Sequence, residues 1–292
     1  MIAGGLKARL AEVLGKTPTR VQYIGGGSIN QAARVEAAGI SYFVKWKHSA
    51  PPQFFEREAR GLSLLQQSGV IRVPAVIAHS DSAPQHPAYL VLEWIEESPR
   101  AEPLAFAVAF GRALADLHRC DAPHFGLDHD NFIGERPQSN KQKHDWVSFY
   151  RDQRLLPQIE MAKARRRLNP TREGLLRKVV ERLDTLLEGC ADTPSLLHGD
   201  LWSGNFMVGA GNQPVILDPA VYYGDREVEI AMTDLFGGFP PRFLAAYQEA
   251  FPLFPGHERR KALYQLYPLL VHLNLFGEGY GARVDEVCRK YV

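Results

Sequence analysis

The chain has few cysteines and no long apolar segment, and both shortages exclude classes of protein. Three cysteines, Cys120, Cys190 and Cys288, are widely spaced among 292 residues, and none forms a Cys-x-x-Cys pair. A disulfide framework or a zinc site needs cysteines that lie closer together in the sequence. The cysteine pattern therefore predicts a reducing, cytoplasmic environment. A membrane span needs about 20 apolar residues in a row. The start of the chain instead shows the spacing of an amphipathic helix, which is not that of a signal peptide.

A dominant charge is also missing. The 34 Lys and Arg residues nearly balance the 33 Asp and Glu residues, so the formal net charge is +1. No basic excess exists to neutralise a nucleic-acid backbone, and we expect no nucleic-acid partner and no membrane partner. A local phosphate site stays possible. The length predicts two lobes, because single cores stop growing below this size.

The hydrophobic periodicity changes near residue 95. Before it, short segments rich in β-branched and aromatic residues predict strands, and one helical stripe lies among them. The predicted strands are RVQYIG, QAARVEA, SYFVKWK, VPAVIAHS and AYLVLEWI, with the helix FFEREARGLSLLQQSG between the third and fourth. A two-residue turn at Ala38-Gly39 would join the second strand to the third. We predict an α+β fold, with a five-stranded sheet and one helix in residues 1–95.

Residues 96–292 are predicted to be mainly helical. The helical segments are PLAFAVAFGRALADLHRC, TREGLLRKVVERLDTLLEG, PPRFLAAYQEAF, ERRKALYQLYPLLVHLNLF and ARVDEVCRKYV. Pro268 should kink the fourth of these or start a new turn. Only 194–220 departs from this pattern, with three short strands predicted at SLLHG, NFMVG and PVILD.

The densest set of chemically capable residues lies in that strand region. His198, Asp200 and Asn205 follow the spacing H-x-D-x(4)-N, and Asp218 closes an apolar strand thirteen residues after Asn205. An aspartate on a loop can accept the proton of a substrate hydroxyl. Asn and Asp oxygens suit Mg²⁺ that bridges nucleotide phosphates. The alternative is a polar hairpin loop with capping residues, which the four-point spacing disfavours.

A second set lies in the first lobe. Gly25, Gly26, Gly27 and Ser28 open the segment GGGSIN between two predicted strands, where backbone amides could approach phosphate oxygens. Alone, this segment is better explained as a glycine-rich hairpin turn.

Two charged residues strengthen the phosphate interpretation. Lys45, in the middle of the third strand, would be costly to bury without a partner, and Glu58 on the helix is placed to meet it. Lys47 and Glu56 are the rivals for these two roles. The order of glycine loop, lysine, glutamate and the Asp/Asn/Asp set matches the parts of phosphoryl transfer in kinases.

These motifs resemble the protein-kinase-like superfamily, within it the aminoglycoside and choline kinase branch. LLHGDLWSGN, HFGLDHDNFIG, PQSN, DWVSFYRDQRLLPQ and YGDREVEIAMTDLFGGFP look like the fructosamine (ketosamine) kinase family, over residues 25 to about 247. One departure is Glu229, where the family usually has aspartate. The resemblance implies a bilobal kinase fold with an antiparallel sheet. It also implies ATP and Mg²⁺, and phosphorylation of a ketosamine hydroxyl that frees the amine of a small molecule or a glycated protein.

The resemblance also implies further site residues. Adenine would lie against the segment joining the lobes, at Glu93, Trp94 and Ile95. Trp202 would offer an aromatic face to the sugar, although ordinary packing explains it equally well. Asp225 could attract the substrate amine or simply cap a helix, and Asn131 could line the substrate pocket or pack the lobe.

Two other functions remain open at this stage. A kinase of another small alcohol, such as an aminoglycoside, choline or a sugar, would share every ATP-site residue. A nucleotide-binding pseudokinase is disfavoured because the phosphoryl-transfer positions all hold competent residues. The oligomeric state, a monomer included, does not follow from the sequence.

Overall fold

A computed structural model describes residues 4–25 and 30–292, and the chain divides into two compact units. The first contains Met1–Ala101 with Met207–Pro219, and the second contains Glu102–Phe206 with Ala220–Val292. The return of residues 207–219 to the first unit matters for function, because this segment carries Asp218. The predicted second lobe, residues 96–292, included this segment. The division between the lobes at residue 95 stays a prediction.

The first unit is built on the five-stranded antiparallel sheet that the sequence predicts. Its strands have the spatial order β1-β2-β3-β5-β4. They are β1 Pro18–Ile24, β2 Gln31–Ala37, β3 Ile40–Lys47, β4 Val76–Ser80 and β5 Ala88–Glu93. The turn between β2 and β3 has positive φ at both Ala38 (49°) and Gly39 (79°). Such tight turns match the twist of the strands that they join.

Alternation along β3 gives the sheet two different faces. Val44 and Trp46 pack against Leu6 and Leu10 of helix α1, Gly4–Leu14. Lys45 therefore points to the opposite face, where it meets helix α2, Phe54–Ser68. Helix α2 ends at Gly69, whose φ of 69° provides the left-handed cap.

The second unit is mainly helical, as predicted, with short strand pairs. Its elements are α3 Pro103–His118, β6 Asn131–Ile133, β7 Arg136–Gln138, α4 Trp146–Phe149, α5 Leu156–Ala164, α6 Pro170–Glu181, α7 Leu183–Leu186, β8 Ser195–Leu197, β11 Tyr222–Gly224, α8 Glu227–Leu235, α9 Pro241–Ala250, α10 His257–Phe276 and α11 Gly281–Arg289. Between β8 and β11 the chain forms β9 Phe206–Val208 and β10 Pro214–Ile216, which belong to the first unit except for Phe206. The strands pair as β6 with β7, β8 with β11, and β9 with β10. None of the helices in the described residues is long and apolar enough to cross a membrane.

One helical prediction needs correction. The segment predicted as one helix from Thr171 is divided into α6 and α7 at Arg182, whose φ of −105° and ψ of 4° leave the helical region. Pro268 does not divide α10. The proline removes the N–H that would bond the carbonyl of Tyr264, and the hydroxyl of Tyr150 donates to the carbonyls of Leu263 (2.9 Å) and Tyr264 (3.5 Å) instead.

Candidate active site

Lys45 joins two carboxylates within the first unit. Its side chain is 5% exposed, and Nζ donates to Oδ1 of Asp218 at 2.7 Å and forms an ion pair with Glu58. The sequence predicts the pair with Glu58, but the bond to Asp218 does not follow from spacing alone. The structure thus brings three of the predicted residues together around one ammonium group.

The electrostatics of this trio keep the lysine charged. Burial lowers the pKa of Lys45, but the charges of Asp218 and Glu58 outweigh it, so the pKa lies above its usual value. Burial raises the pKa of Glu58 to about 7, because the attraction of Lys45 offsets the desolvation only in part. The ammonium group is therefore held ready for an anionic ligand, and Asp218 is the more exposed of its two partners.

Asp218 has a strained backbone, which is common at functional sites. Its φ is 52°, in the left-handed region, and its side chain is 56% exposed. The preceding strand, β10, buries Val215 and Ile216 completely, and the N–H of Ile216 donates to the carbonyl of Arg72 at 3.0 Å. A buried strand thus fixes the position from which an exposed carboxylate projects.

The predicted adenine segment is tied to the same unit. The carboxylate of Glu93 accepts from the guanidinium of Arg72 and from the N–H of Ala75 (3.1 Å). The guanidinium of Arg34 lies 4.7 Å from the ring centre of Trp94. The side chain of Glu93 is therefore used internally, and any contact of this segment with adenine stays a prediction.

The glycine segment and Ile95 are less informative. Gly25 follows β1 directly and is exposed, and Ile95 is half-buried. Gly26, Gly27 and Ser28 lie outside the described residues, so their proposed contacts with phosphate stay predictions.

In the second unit, one loop holds Asp200 and Asn205 together. The amide nitrogen of Asn205 donates to the backbone carbonyl of Asp200 at 2.8 Å and to its Oδ2 at 3.2 Å. The N–H of Asp200 donates to Nδ1 of His198 at 3.2 Å. This last bond gives His198 a structural role in the loop. Because Asn205 donates through its nitrogen, its side-chain oxygen is the atom that a cation would meet.

A buried glutamate fixes the start of this loop. Glu229 accepts the N–H of Gly199 at 2.7 Å through Oε1, and the N–H of His198 at 3.0 Å through Oε2. Oε2 also bonds Nε2 of His118 at 3.0 Å, and Nδ1 of His118 lies 2.8 Å from the hydroxyl of Tyr247. The three side chains involved, those of Glu229, His118 and Tyr247, are buried. Glu229 therefore braces the loop that carries Asp200.

The Gly199 position also depends on glycine. Its φ is 84°, and a Cβ there would lie 2.1 Å from the carbonyl oxygen of Ala220. The loop can therefore take this path only with glycine between the histidine and the aspartate.

A pocket opens beside Asp200, and its other walls are mostly aromatic and aliphatic. It is lined by Ile133, Tyr150, Gly199, Asp200, Tyr222, Val228, Glu229, Met232, Tyr264, Tyr267, Pro268, Val271 and His272. Trp202 stands two residues from Asp200, 39% exposed, with its ring against Gly204. A binding role for Trp202 stays a prediction, and its ring also packs edge-on against Phe236. This arrangement suits a small polar substrate whose hydroxyl meets Asp200 while apolar faces hold its carbon skeleton.

Two predicted substrate residues do not line this pocket. Asp225 is fully buried, and it accepts from the hydroxyl of Tyr264 (2.7 Å) and from the N–H of Glu227 (2.9 Å) at the start of α8. Burial raises the pKa of Asp225 to about 6. The structure thus corrects the assignment of Asp225 to the substrate amine and supports the helix-capping alternative.

Asn131 is corrected in the same way. It is 6% exposed, donates to the carbonyl of Val221 (2.8 Å) and accepts from Gln138 (2.8 Å). Gln138 in turn accepts from the hydroxyl of Tyr267 at 2.6 Å. Asn131 therefore supports the pocket residue Tyr267 through Gln138 and does not itself line the pocket.

Known proteins are similar to this chain over almost its whole length. The family model described as fructosamine kinase matches residues 5–292. The chain belongs to the fructosamine kinase family. A probable ketoamine kinase of Enterococcus faecium is 42% identical over 91% of this chain and 93% of its own length. The chloroplastic protein-ribulosamine 3-kinase of Arabidopsis thaliana is 36% identical, covering 94% of this chain and 83% of the plant protein.

Solved structures support the same family and the predicted fold. A candidate fructosamine-3-kinase from Thermobifida fusca superposes with a TM-score of 0.88 at 36% identity, covering 98% of both chains. An aminoglycoside phosphotransferase has a TM-score of 0.67 at 17% identity, covering 99% of both chains, and shows the shared kinase-like fold alone. The prediction of a bilobal protein-kinase-like fold is therefore confirmed.

For this fructosamine kinase family member, sequence reasoning missed several residues around Asp200. One of them is His118, a buried histidine whose Nε2 bonds the carboxylate that holds the loop before Asp200. A histidine in the last turn of an otherwise apolar helix was the available signal. Tyr267 and His272 also line the pocket, but no sequence signal pointed to them, because both lie within the general apolar pattern of α10.

Proposed function

We propose that this member of the fructosamine kinase family transfers the γ-phosphoryl group of ATP to a hydroxyl of a ketosamine. The observation that carries the proposal is the braced loop that presents Asp200 with Asn205 beside it, next to a pocket lined mostly by aromatic and aliphatic side chains. The relatives named ketoamine kinase and protein-ribulosamine 3-kinase support the choice of acceptor. Phosphorylation would labilise the adduct and release the amine, as a step of deglycation.

The donor set suits magnesium. No three His, Cys, Asp or Glu side chains converge on a metal position within residues 4–25 and 30–292, which argues against a metal cage made by protein alone. Mg²⁺ usually takes one or two protein oxygens and fills its shell with phosphate and water oxygens. Asp218 and Asn205 would each supply one such oxygen. Mg²⁺ bound in this way would neutralise charge on the nucleotide phosphates during transfer.

The protein groups would then have distinct roles. Lys45, held by Glu58, would bind the α- and β-phosphates, with the Gly25–Gly27 amides over the β- and γ-phosphates. Asp200 would orient the acceptor hydroxyl and take its proton as the oxygen bonds to the γ-phosphorus and ADP departs. Glu229 would keep Asp200 at the required position through the loop backbone.

Replacing the proposed base tests this function. A positioned general base contributes roughly 10²–10⁴-fold, so Asp200→Ala should lower kcat by at least that order while ATP still binds. The assay is ATP-dependent gain of one phosphate by mass spectrometry, on a panel of ketosamines, aminoglycosides, choline and free sugars. Turnover of another alcohol but not of ketosamines would refute the acceptor. Full turnover by Asp200→Ala would refute the role of the aspartate.

A further inference from the structure

Three family motifs have no role in the proposed function, and the structure brings them together next to the candidate substrate pocket. DNFIG contributes Asn131, PQSN contributes Gln138 and Asn140, and FYRDQR contributes Arg154. We call these four residues the polar network. Each of their side chains is at most 6% exposed. Because buried polar groups are costly unless they are paired, such a network has to satisfy itself through its own hydrogen bonds.

Those hydrogen bonds connect the polar network to a tyrosine of the pocket. Nη2 of Arg154 donates to Oδ1 of Asn140 at 2.8 Å, and the amide nitrogen of Asn140 donates to Oδ1 of Asn131 at 3.0 Å. The same oxygen of Asn131 accepts from the amide nitrogen of Gln138 at 2.8 Å. Oε1 of Gln138 accepts from the hydroxyl of Tyr267 at 2.6 Å. A continuous series of bonds therefore leads from a buried guanidinium to a ring that lines the pocket.

The guanidinium of Arg154 also contacts pocket residues directly. It lies 3.9 Å from the ring centre of Tyr222 and 5.5 Å from that of Tyr267, and both tyrosines line the pocket. The ring centre of Phe149 lies 4.6 Å away. A cation within about 6 Å of a ring centre is attracted to the ring, most strongly where water is excluded. Arg154 is fully buried, so it holds the two tyrosine rings from within the protein.

The acceptors around this guanidinium are neutral. Nη1 of Arg154 donates to the carbonyls of Ser139 (2.5 Å) and Gln153 (2.9 Å), and Nη2 donates to the amide of Asn140. Nε is buried and has no hydrogen-bond partner among the described residues. A buried cation held in this way costs free energy that an apolar side chain of similar size would not. Departures of this kind from a well-packed interior are expected where a residue serves function.

The backbone that places Arg154 is a π-helical turn, Tyr150–Leu155, between α4 and α5. The N–H of Leu156 donates to the carbonyl of Arg151, five residues before it. Single π turns inside helical segments are rare and frequently lie at functional sites. Here one turn carries both Tyr150, which lines the pocket, and Arg154, which holds two other pocket rings.

The polar network is also tied to the loop that carries Asp200. The amide nitrogen of Gln138 donates to the carbonyl of Ala220 at 3.1 Å, and the N–H of Ala220 donates to the carbonyl of His198 at 2.8 Å. Burial raises the pKa of Tyr267, the guanidinium of the network lowers it in part, and the charge of Asp200 raises it. This tyrosine is therefore within electrostatic reach of both the network and the proposed base.

We propose that Arg154 is a positioning residue for the phosphoryl acceptor and acts through the rings of Tyr222 and Tyr267. The proposal rests on the function proposed above. The guanidinium fixes the two rings relative to Asp200, and the rings hold the sugar so that one hydroxyl meets the carboxylate. Without the cation the rings can shift, while the ATP-binding groups of the first unit keep their contacts.

Arg154→Met tests the proposal, because methionine is unbranched and apolar and can fill much of the space without the charge. Displacement of a reacting group by about 1 Å can cost about 10²-fold in rate, so kcat/KM for a ketosamine should fall about 10- to 100-fold. The loss should lie in kcat and in KM for the acceptor, while KM for ATP stays at the wild-type value. Arg154→Lys keeps a cation but not the planar fork, so it should recover part of the loss.

Arg172→Met is the matched control. Arg172 is also buried in the second unit, but it pairs with Glu278 and Asp285 and does not line the pocket. Removing one partner of such a pair destabilises the fold, so this variant should unfold at lower urea concentration. Its kcat and both KM values should match the wild type. The control therefore separates a loss of stability from a loss of acceptor positioning.

If Arg154→Met does not fold, Gln138→Met carries the same test. It leaves the guanidinium in place and releases the hydroxyl of Tyr267, so a smaller loss is expected, again confined to the kinetics of the acceptor. Wild-type acceptor kinetics in the folded variant would overturn the proposal. An equal change in KM for ATP, or an equal loss in Arg172→Met, would also overturn it. Absence of ketosamine turnover by the wild-type protein would instead refute the proposed function itself.

Discussion

Glu229 Oε1 accepts the backbone N–H of Gly199 at 2.7 Å. Through this bond a carboxylate that is 2% exposed sets the backbone directly before Asp200. The neighbouring bond from the N–H of His198 fixes a second peptide of the same loop. The position of the proposed base is therefore set, through the loop backbone, by a second carboxylate.

Replacing Glu229 with glutamine should lower kcat while ATP binding changes little. The amide would turn an NH₂ group toward one of the backbone N–H donors and leave it unsatisfied. Hydrogen bonds to charged groups contribute about 1.5–3 kcal/mol, and each 1.4 kcal/mol of barrier is about tenfold in rate. We expect kcat to fall about 10- to 100-fold, together with a loss of unfolding free energy. Steady-state kinetics and urea unfolding measure both.

Glu229→Asp is the control for this prediction. It keeps the carboxylate and restores the residue usual in the family, at the expense of one methylene of reach. A smaller loss than in Glu229→Gln is expected, because both backbone donors can still find an ionised acceptor. Wild-type kcat and stability in Glu229→Gln would show that the brace has no catalytic consequence.

His118 should make the stability of the protein depend on pH. Burial lowers the pKa of His118 below its ordinary value of 6.5, so the unfolded chain takes up a proton that the folded protein does not. This contribution to stability is complete above pH 6.5 and is lost as the pH falls toward the folded pKa. His118→Gln cannot titrate, so the wild-type advantage in unfolding free energy should shrink below pH 6.5, by at most about 1.4 kcal/mol per pH unit.

Urea unfolding of both proteins between about pH 8 and 5.5 measures this difference. The lower limit keeps the experiment above the ordinary carboxylate range, so that Glu229 does not titrate in the unfolded chain. Tyr247, Glu229 and Arg226 face the imidazole and are present in both proteins. A wild-type advantage that stays constant across the range would show that His118 titrates normally in the folded state.

The outline of the fold could be predicted because its signals are local. Strand alternation, the Ala38-Gly39 turn and Gly69 at the end of α2 each act within a few residues, and all appear in the structure. The pairing of Lys45 with Glu58 was also accessible, since an inward lysine in a strand needs a partner on the element that covers it. One helix is predicted between the third and fourth strands, so the carboxylates on that helix were the candidate partners of Lys45.

The errors concern contacts between residues distant in sequence. Asp225 carries a charge within a family motif, and only its burial and its hydrogen bonds with Tyr264 and the N–H of Glu227 show that it caps α8. The role of His118 depends on Glu229, which lies 111 residues away. Sequence spacing describes neither the depth of a side chain nor its tertiary partner, and these two properties separate a structural carboxylate from one that meets substrate.

Replacing Lys45 with methionine should damage both ATP binding and folding. Glu58 would be left buried without its cation beside Asp218, and breaking a buried pair in this way costs about 3–5 kcal/mol. The Kd for ATP should rise about 10- to 100-fold, the equivalent of about 1.4–2.8 kcal/mol. Calorimetric titration and urea unfolding measure the two effects separately.

The double variant Lys45→Met with Glu58→Gln separates the structural role of the lysine from its functional role. A neutral glutamine needs no cation, and the raised pKa of Glu58, about 7, shows that its charge is already costly to hold. The second substitution should therefore restore most of the lost stability. It supplies no positive charge for the phosphates, so ATP binding should stay weak. If ATP affinity returned together with stability, Lys45 would serve the fold alone, and the phosphates would have to be held by other groups.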